Sequence, residues 1–315
     1  MRAPLRALAA TALTATLATA LAACGGSSGS LPSPAHSGSG SASGESLDQV
    51  IADAPVAPAT AIPAGSLMAR IKARGTLNVG GTDTSALFSL KDPVSGKLTG
   101  FDAGLAQMLA RYVLGKPAIN LVEVSTDTRE ALLQNGTVDT VLATYTITPA
   151  RAQKVAFAGP YYSSGDAILV AKGNTDITKV SDLAGKTVCT ESSSTAANDL
   201  EQFAPTAHVI LFQTNAECEQ AVEQGRADAY VLDQSLLLGD QYRDPKVKVV
   251  GQPFTTEPYG IGLPLDSPEM KTFVNDWLKT IQADGEWAKL WKATIGTVQD
   301  GNPPTPPVIG SAQGS

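Results

Sequence analysis

Short apolar segments alternate with amphipathic helical segments through the middle of this chain. The clearest helical pattern spans Asp102–Val113. There Leu105, Met108 and Tyr112 recur on one face of the predicted helix. Short apolar strands separated by helices predict an α/β fold, with mainly parallel sheets covered on both faces. The predicted strands are 76–80, 119–124, 140–144, 187–190, 208–212 and 229–232.

The first residues have the pattern of an export signal. Met1–Leu21 carries two early arginines, then an Ala/Leu/Thr run too short and weakly hydrophobic for a membrane span. We therefore predict a signal peptide over 1–23. Leu21-Ala22-Ala23-Cys24 is typical of a lipobox, in which Cys24 takes a diacylglycerol; the alternative is an ordinary signal peptide with a chance cysteine. Acyl chains on Cys24 would hold the protein on the outer face of the cytoplasmic membrane.

Two segments have a composition that disfavours folding. Residues 24–65 are rich in Gly, Ser, Ala and Pro and predict a disordered tether, and the proline-rich 299–315 predicts a disordered tail. About 230 residues lie between them, enough for one large domain or two small lobes. The formal net charge of −7 offers no general attraction to nucleic acid or anionic lipid.

The remaining cysteines, Cys189 and Cys218, form an even pair once Cys24 is lipidated. An exported protein folds in an oxidising compartment, so we expect a disulfide between them. Two small buried thiols are the alternative.

The segment Thr144–Tyr162 sets an arginine, Arg151, just after a short apolar strand, where its guanidinium can grip a carboxylate. The residues 192–195, S-S-S-T, precede a predicted helix, Ala196–Phe203. Hydroxyls and free amide groups at a helix N-terminus favour an anion, although plain N-capping explains them too.

The Thr144–Tyr162 segment resembles the T-I-T-x-x-R signature of the family 3 solute-binding proteins, two-lobed receptors that present polar amino acids to ABC importers. The resemblance covers roughly Ser66–Thr294 and is nearest to the glutamate-binding lipoproteins of Gram-positive bacteria. Other segments fit in family order: Leu77–Gly80, Gly100–Asp102, Gly136–Asp139, Asp182–Lys186, Gly225–Asp233 and Val274–Trp287.

The resemblance implies a two-lobed periplasmic-binding-protein-like fold of type II. Lobe 1 would comprise 66–166 and a return segment, 252–298, and lobe 2 would comprise 167–251 with the hinge strands. Ala167–Ala171 and Val249–Phe254 are the candidate crossings between the lobes. The C-terminal helices predicted over Pro268–Ala283 and Gly285–Thr294 would return to lobe 1.

The resemblance also implies roles for individual residues. Arg151 would clamp the ligand α-carboxylate, Thr146 would face the ligand, and Asp233 would accept the ligand ammonium, although Asp233 could instead cap the following helix. Thr144 stands where relatives often have glycine and use a backbone carbonyl toward the ammonium. Ser194 and Thr195 belong to a G-S/T-T loop of the family, in which this chain has serine at 193 for glycine.

Contacts to the ligand side chain are less defined. Asp83, Thr84 and Phe88 follow the first strand, where relatives place such contacts. Arg129 is a candidate second cation for an acidic side chain, or else an exposed helix charge.

The expected function is a membrane-anchored receptor for a polar amino acid, glutamate or aspartate ahead of glutamine or asparagine. It would act as a monomer with an ABC permease, without a cofactor. A sensory lipoprotein with a membrane signalling partner would use the same pocket, and a purely structural lipoprotein leaves Arg151 and Asp233 unexplained. An enzyme is not expected, because His36 and His208 belong to no Ser-His-Asp, Cys-His or metal-ligand pattern.

Overall fold

The computed structural model describes residues 45–315. The predicted signal peptide, Cys24 and the first half of the predicted tether, 24–44, lie outside the described residues. The helices are α1 Leu47–Asp53, α2 Leu67–Arg74, α3 Phe101–Leu114, α4 Arg129–Gln134, α5 Pro149–Ala152, α6 Thr195–Phe203, α7 Asn215–Glu223, α8 Gln234–Arg243, α9 Pro268–Ala283 and α10 Glu286–Ala293. The strands are β1 Leu77–Gly81, β2 Thr84–Ser85, β3 Ser89–Lys91, β4 Leu98–Thr99, β5 Ile119–Glu123, β6 Thr140–Val141, β7 Ala156–Ser164, β8 Asp166–Ala171, β9 Thr187–Glu191, β10 His208–Phe212, β11 Ala229–Asp233, β12 Val247–Val250 and β13 Glu257–Leu263.

Two five-stranded sheets form the frame of the molecule, each with its own apolar core. The first has the order β5-β1-β6-β13-β7, and a small sheet, β2-β3-β4, stands beside it. The second has the order β10-β9-β11-β8-β12. Helices α3, α9 and α10 contribute to the first core, where Trp277 and Trp287 are fully buried. The α/β, two-lobed fold class is therefore confirmed.

Each sheet is mixed rather than mainly parallel, which differs from the sequence expectation. Strand β1 runs parallel to β5 and β6, and β9 runs parallel to β10 and β11. Strands β13 and β8 run antiparallel to their neighbours. Parallel neighbours need a long crossover connection. Only Gly165 separates β7 from β8, so these strands enter their sheets without a crossover helix.

The chain passes between the two sheets twice. The first connection is Gly165, between β7 and β8, and the second is 251–256, between β12 and β13. The two connections touch: a Cβ at Gly165 would collide with the carbonyl oxygen of Thr255. The Asp166 amide donates to Thr255 Oγ1 at 2.8 Å, and the Phe254 amide donates to the Asp166 carbonyl at 2.9 Å. A glycine at 165 is what allows this close approach.

The prediction of a disordered tether is wrong from Leu47 onward. Ser46 caps α1 by accepting the amide of Gln49, and Val50 and Ile51 are buried in the first core. Apolar residues at helical spacing inside the Ala/Pro-rich segment supply this packing. Among the described residues, no helix is long and apolar enough to cross a membrane.

The prediction of a disordered tail over 299–315 also differs from the structure. The amide of Gly310 donates to the carbonyl of Gly159 at 2.7 Å, and Gln282 donates to the carbonyl of Pro307 at 3.3 Å. Ile309 packs on the first core. The tail thus packs along β7, at the edge of the first sheet, and composition alone does not reveal these contacts.

Cys189 on β9 and Cys218 on α7 are joined as a disulfide inside the second core. Their Cα atoms are 5.7 Å apart, and both residues are fully buried. The bond ties a helix to the sheet that it covers and closes a loop of 29 residues.

We predict that replacing both cysteines by alanine lowers the free energy of unfolding by about 3–4 kcal/mol, because the loop constraint on the unfolded chain is lost. Urea unfolding of the wild type and of the double variant measures the difference. Mass mapping under non-reducing conditions is the direct control, and two freely alkylated thiols in the exported protein would contradict the bond.

Candidate functional site

A cavity of about 280 Å³ lies between the two sheets, next to the carboxyl ends of β1, β5, β9 and β11. Ligands of open α/β sheets bind at this edge, where chain connections diverge. Both lobes contribute to the lining. Eight of the ten residues proposed from the sequence as ligand contacts line the cavity: Thr84, Arg129, Thr144, Thr146, Arg151, Ser194, Thr195 and Asp233.

Arg151 lies on α5, whose first turn is fixed by Thr148. The Thr148 hydroxyl accepts the Arg151 amide at 3.2 Å. The guanidinium is buried, and it donates to the carbonyls of Thr146 and Ser193, both at 3.0 Å. Two carbonyls fix the plane of the group without neutralising it. Among the described residues no carboxylate forms an ion pair with Arg151, so a buried positive charge faces the cavity.

Thr144 has a left-handed backbone, with φ of +43°. This conformation ends β6 earlier than the predicted strand, and it explains why glycine suits the position. The Thr144 amide donates to Asp102 Oδ2 at 2.7 Å, while the hydroxyl of Tyr161 donates to Asp102 Oδ1 at 2.8 Å. Burial raises the pKa of Asp102 to about 6. A buried carboxylate therefore holds the backbone that borders the cavity.

Ser194 and Thr195 begin α6 at the opposite wall. The Ser194 hydroxyl accepts the Ala197 amide at 3.1 Å and donates to the carbonyl of Glu191 at 2.7 Å, so it caps the helix. N-capping, the alternative considered for this hydroxyl, is therefore what the structure contains. Ser193 is also left-handed, with φ of +58° at the family's glycine position. The helix N-terminus remains beside the cavity and favours an anion there.

Asp233 ends β11 and is buried, and its Oδ1 has no hydrogen-bond partner within the described part of the chain. It precedes α8 but its side chain makes no capping bond, contrary to the capping alternative. Burial and the neighbouring Glu257 raise the pKa of Asp233 well above its usual range, whereas Arg151 acts in the opposite direction. A cationic group placed beside Asp233 would stabilise its ionised form.

Arg129 begins α4 and is buried, so the alternative of an exposed helix charge is wrong. Its guanidinium carbon lies 3.9 Å from the centre of the Tyr145 ring, and it donates to the carbonyl of Ala143 at 3.2 Å. Burial lowers the pKa of Arg129 to about 10, and Arg151 contributes in the same direction. Arg129 stays charged at neutral pH, so the cavity holds two cations.

The three side-chain contacts predicted after the first strand have different environments in the structure. Thr84 lines the cavity, whereas Asp83 is half-buried and is not part of the lining. Phe88 lies in the core, with its ring 5.5 Å from that of Tyr162 and 6.2 Å from that of Phe101. Phe88 lies in the connection between β2 and β3 and, with Leu87, is buried in the first core.

Two acidic residues that line the cavity, Glu123 and Glu191, were not predicted from the sequence. Burial raises the pKa of Glu191 to about 7, while Arg129 counteracts the increase. Glu123 is the second-last residue of the strand predicted at 119–124 and Glu191 directly follows the strand predicted at 187–190; these positions near strand ends were the signal available in the sequence. The amides of Gln213 and Asn215 also line this part of the cavity.

The two lobes contact each other at the mouth of the cavity. Thr126 Oγ1 donates to the carbonyl of Ser192 at 2.6 Å, and Ser192 Oγ donates to Asp127 Oδ2, also at 2.6 Å. Arg151, from lobe 1, reaches Ser193 of lobe 2 in the same region. The cleft is therefore closed by direct hydrogen bonds between the lobes.

Two mixed sheets, a double crossing and a charged cavity between the lobes define a solute-binding protein. The family model for bacterial extracellular solute-binding proteins, family 3, matches residues 77–297. The chain therefore belongs to this family of solute-binding proteins.

Three similar proteins illustrate the range of the family. An ABC transporter glutamine-binding protein of Bacillus subtilis is 34% identical over 230 residues, which are 72% of this chain and 84% of that protein. A glutamate-binding protein of Corynebacterium efficiens is 31% identical over 253 residues, 75% of this chain and 85% of that one. The solved structure of an ancestral arginine-binding protein bound to glutamine has a TM-score of 0.66 and 36% identity, covering 71% of this chain and 99% of that chain.

Proposed function

We propose that the protein is the extracytoplasmic substrate-binding lipoprotein of an amino-acid ABC importer, anchored through Cys24, and that its preferred ligand is L-glutamine. The main support is that Arg151 and Asp233 line the same small cavity. Both residues are buried, and neither forms an ion pair among the described residues. A free α-amino acid brings a carboxylate and an ammonium group and can satisfy both. Arg151 and the N-terminus of α6 suit the carboxylate, and Asp233 suits the ammonium.

The choice of side chain follows from the charges that remain. Once Arg151 and Asp233 are paired with the ligand, the cavity still holds the cation of Arg129 and the carboxyl groups of Glu123 and Glu191. A neutral amide can accept a hydrogen bond from Arg129 and donate one to a carboxylate. A side-chain carboxylate would add a third acid to this group. We therefore propose that the protein prefers glutamine to glutamate, which is the reverse of the ligand preference expected from the sequence.

Glutamate is the second candidate ligand, because the buried positive charge of Arg129 lines the cavity and can pair with an acidic side chain. If Glu191 is protonated, it no longer repels a ligand carboxylate. The positive charge of Arg129 then attracts the ligand side chain, and an acidic side chain can bind. The names of the relatives include both ligands: the Bacillus subtilis protein is named for glutamine and the Corynebacterium efficiens protein for glutamate.

The first prediction for the binding site concerns Arg151 and the ligand carboxylate. We expect Arg151→Ala to weaken amino-acid binding by about 2–5 kcal/mol, because the ligand carboxylate loses a bidentate partner in a buried site. Calorimetric titration with glutamine and glutamate measures the loss. Arg226→Ala, which removes an exposed arginine of lobe 2, is the matched control and should bind normally. Normal affinity in Arg151→Ala would refute the clamp.

The second prediction is a pH-dependent preference. Ionised Glu191 accepts a hydrogen bond from a ligand amide, so glutamine affinity should fall as pH drops below about 7. Protonated Glu191 tolerates a ligand carboxylate, so glutamate affinity should rise over the same interval. The ratio of the two affinities should therefore decrease from about pH 8 to about pH 5.5, by at most tenfold per unit for one proton.

Glu191→Gln tests the origin of this trend, since glutamine keeps the size of the side chain and cannot titrate. In this variant the affinity ratio should be constant over the same pH range. A wild-type ratio that does not change with pH, or an unchanged trend in Glu191→Gln, would rule out Glu191 as the discriminating group.

The third prediction concerns closure. Arg151 belongs to lobe 1 and Asp233 to lobe 2, so the ligand satisfies both only when the lobes meet, and binding should favour the closed state. Small-angle scattering should give a smaller radius of gyration with saturating glutamine than without it. Arg151→Ala, measured at the same glutamine concentration, should stay open. Equal radii for the free and bound wild-type protein would contradict the hinge mechanism.

A further inference from the structure

Three carboxylates meet beside the two lobe crossings, outside the cavity. Asp166 begins β8 directly after the first crossing, Glu257 begins β13 directly after the second, and Asp199 lies on α6. One oxygen from each lies within 4.8 Å of the others. The three residues are far apart in sequence, so a search for the short spacings of metal-binding motifs could not find them. None of them lines the amino-acid cavity.

The hydrogen bonds of this cluster are incomplete. Asp166 is fully buried, and no N–H, hydroxyl or cationic donor of the described chain reaches either of its carboxylate oxygens; its interaction partner is the Asp199 carboxyl, with which it can only share a proton or a cation. Glu257 is buried as well; Thr255 donates to its Oε1 at 3.1 Å, but its Oε2 has no partner. Buried carboxylate oxygens without partners are costly, since they have lost water and gained nothing in return.

No cation of the described chain compensates the cluster. Asp166, Asp199 and Glu257 take part in none of the ion pairs among residues 45–315. Asp233 adds a further acid, because it is the direct cross-strand partner of Asp166 between β11 and β8. Like charges in such positions repel, so the group needs bound cations or bound protons.

We propose that Asp166, Asp199 and Glu257 form a calcium site at the hinge. Hard cations take carboxylate oxygens, and calcium–oxygen distances of about 2.3–2.6 Å place opposed ligand oxygens up to about 5 Å apart. The oxygen separations of the cluster fall within this limit. Magnesium is a poorer fit, since it retains several waters and demands octahedral geometry in a site that is largely buried. Asp199 is half-buried and leaves a path for entry.

The site would connect three elements that the amino-acid cavity depends on. Its ligands come from the starts of β8 and β13, which leave the two crossings, and from α6, whose N-terminus borders the cavity. A bound calcium ion would therefore fix α6 relative to the hinge. It would also offset the repulsion between Asp166 and Asp233.

The test is titration of the chelator-treated full-length exported protein with CaCl2 alone, without amino acid, followed by equilibrium dialysis. We expect one calcium ion per chain, with a dissociation constant of about 0.1–1 mM, the range of extracellular calcium modules. The melting temperature should rise with CaCl2 concentration, because the ion binds the folded state. MgCl2 should bind more weakly. Absence of calcium binding at pH 7.5 would mean that protons neutralise the cluster and would overturn the proposal.

Two substitutions locate the binding. Asp199→Asn should weaken calcium binding at least about tenfold, since affinity follows the number of charged ligands. Glu223→Gln is the matched control: Glu223 belongs to a second acidic group, with Glu219 and Asp244, but it is paired with Lys246 at 3.0 Å. The control should bind calcium normally. Equal affinity in Asp199→Asn and wild type would assign the ion to another surface and refute the site.

If Asp199→Asn does not fold, as judged by circular dichroism, Glu257→Gln replaces it in the same titration with the same expectation. Because calcium binding is measured without amino acid, its failure leaves the proposed receptor function untouched. Failure of glutamine binding likewise leaves the calcium measurement interpretable.

Discussion

The buried guanidinium of Arg151 is the constraint around which the site is arranged. It has left water, it donates to one carbonyl from each lobe, and no carboxylate of the described chain neutralises it. Isolated buried charges are expensive, so such a group is retained where a ligand completes it. On the other lobe, the buried carboxyl group of Asp233 has an oxygen without a hydrogen-bond partner among the described residues, and burial disfavours its ionised form. A zwitterion between them would stabilise both groups at once, and this is the reason for proposing that lobe closure and solute binding are one process.

Backbone strain accompanies this electrostatic deficit. Thr144 lines the cavity from one lobe, and Ser193 directly precedes the lining residue Ser194 on the other lobe. Both Thr144 and Ser193 adopt left-handed conformations that disfavour residues with a side chain. Asp102 holds the first of them by accepting its amide. On the other lobe, the Ser193 carbonyl accepts a hydrogen bond from Arg151. A partly buried hydrogen bond to an ionisable side chain accompanies each strained conformation, as is common where strain positions a functional backbone.

The sequence predicted the repeating elements well because their signal is local. The helix expected over Pro268–Ala283 has those bounds in the structure, and the strands expected at 208–212 and 229–232 form β10 and β11. Strand direction was not predictable, since it depends on how the chain crosses between lobes. Burial of Arg129 was left open because a helix-start arginine looks the same whether it faces solvent or a cleft. Glu191 was missed because its role arises only when lobe 2 folds against Arg129.

The two acidic regions of the molecule are linked through one cross-strand pair. Asp233 faces the cavity and Asp166 faces the hinge cluster, yet they are direct partners on neighbouring strands. Burial first and then Asp233 raise the pKa of Asp166 to about 10, and burial first and then Glu257 of the same hinge cluster raise the pKa of Asp233. An occupant that neutralises the hinge cluster therefore lowers the cost of ionising Asp233. Ionised Asp233 is the form that accepts an ammonium group, so the state of the hinge bears directly on the affinity of the cleft.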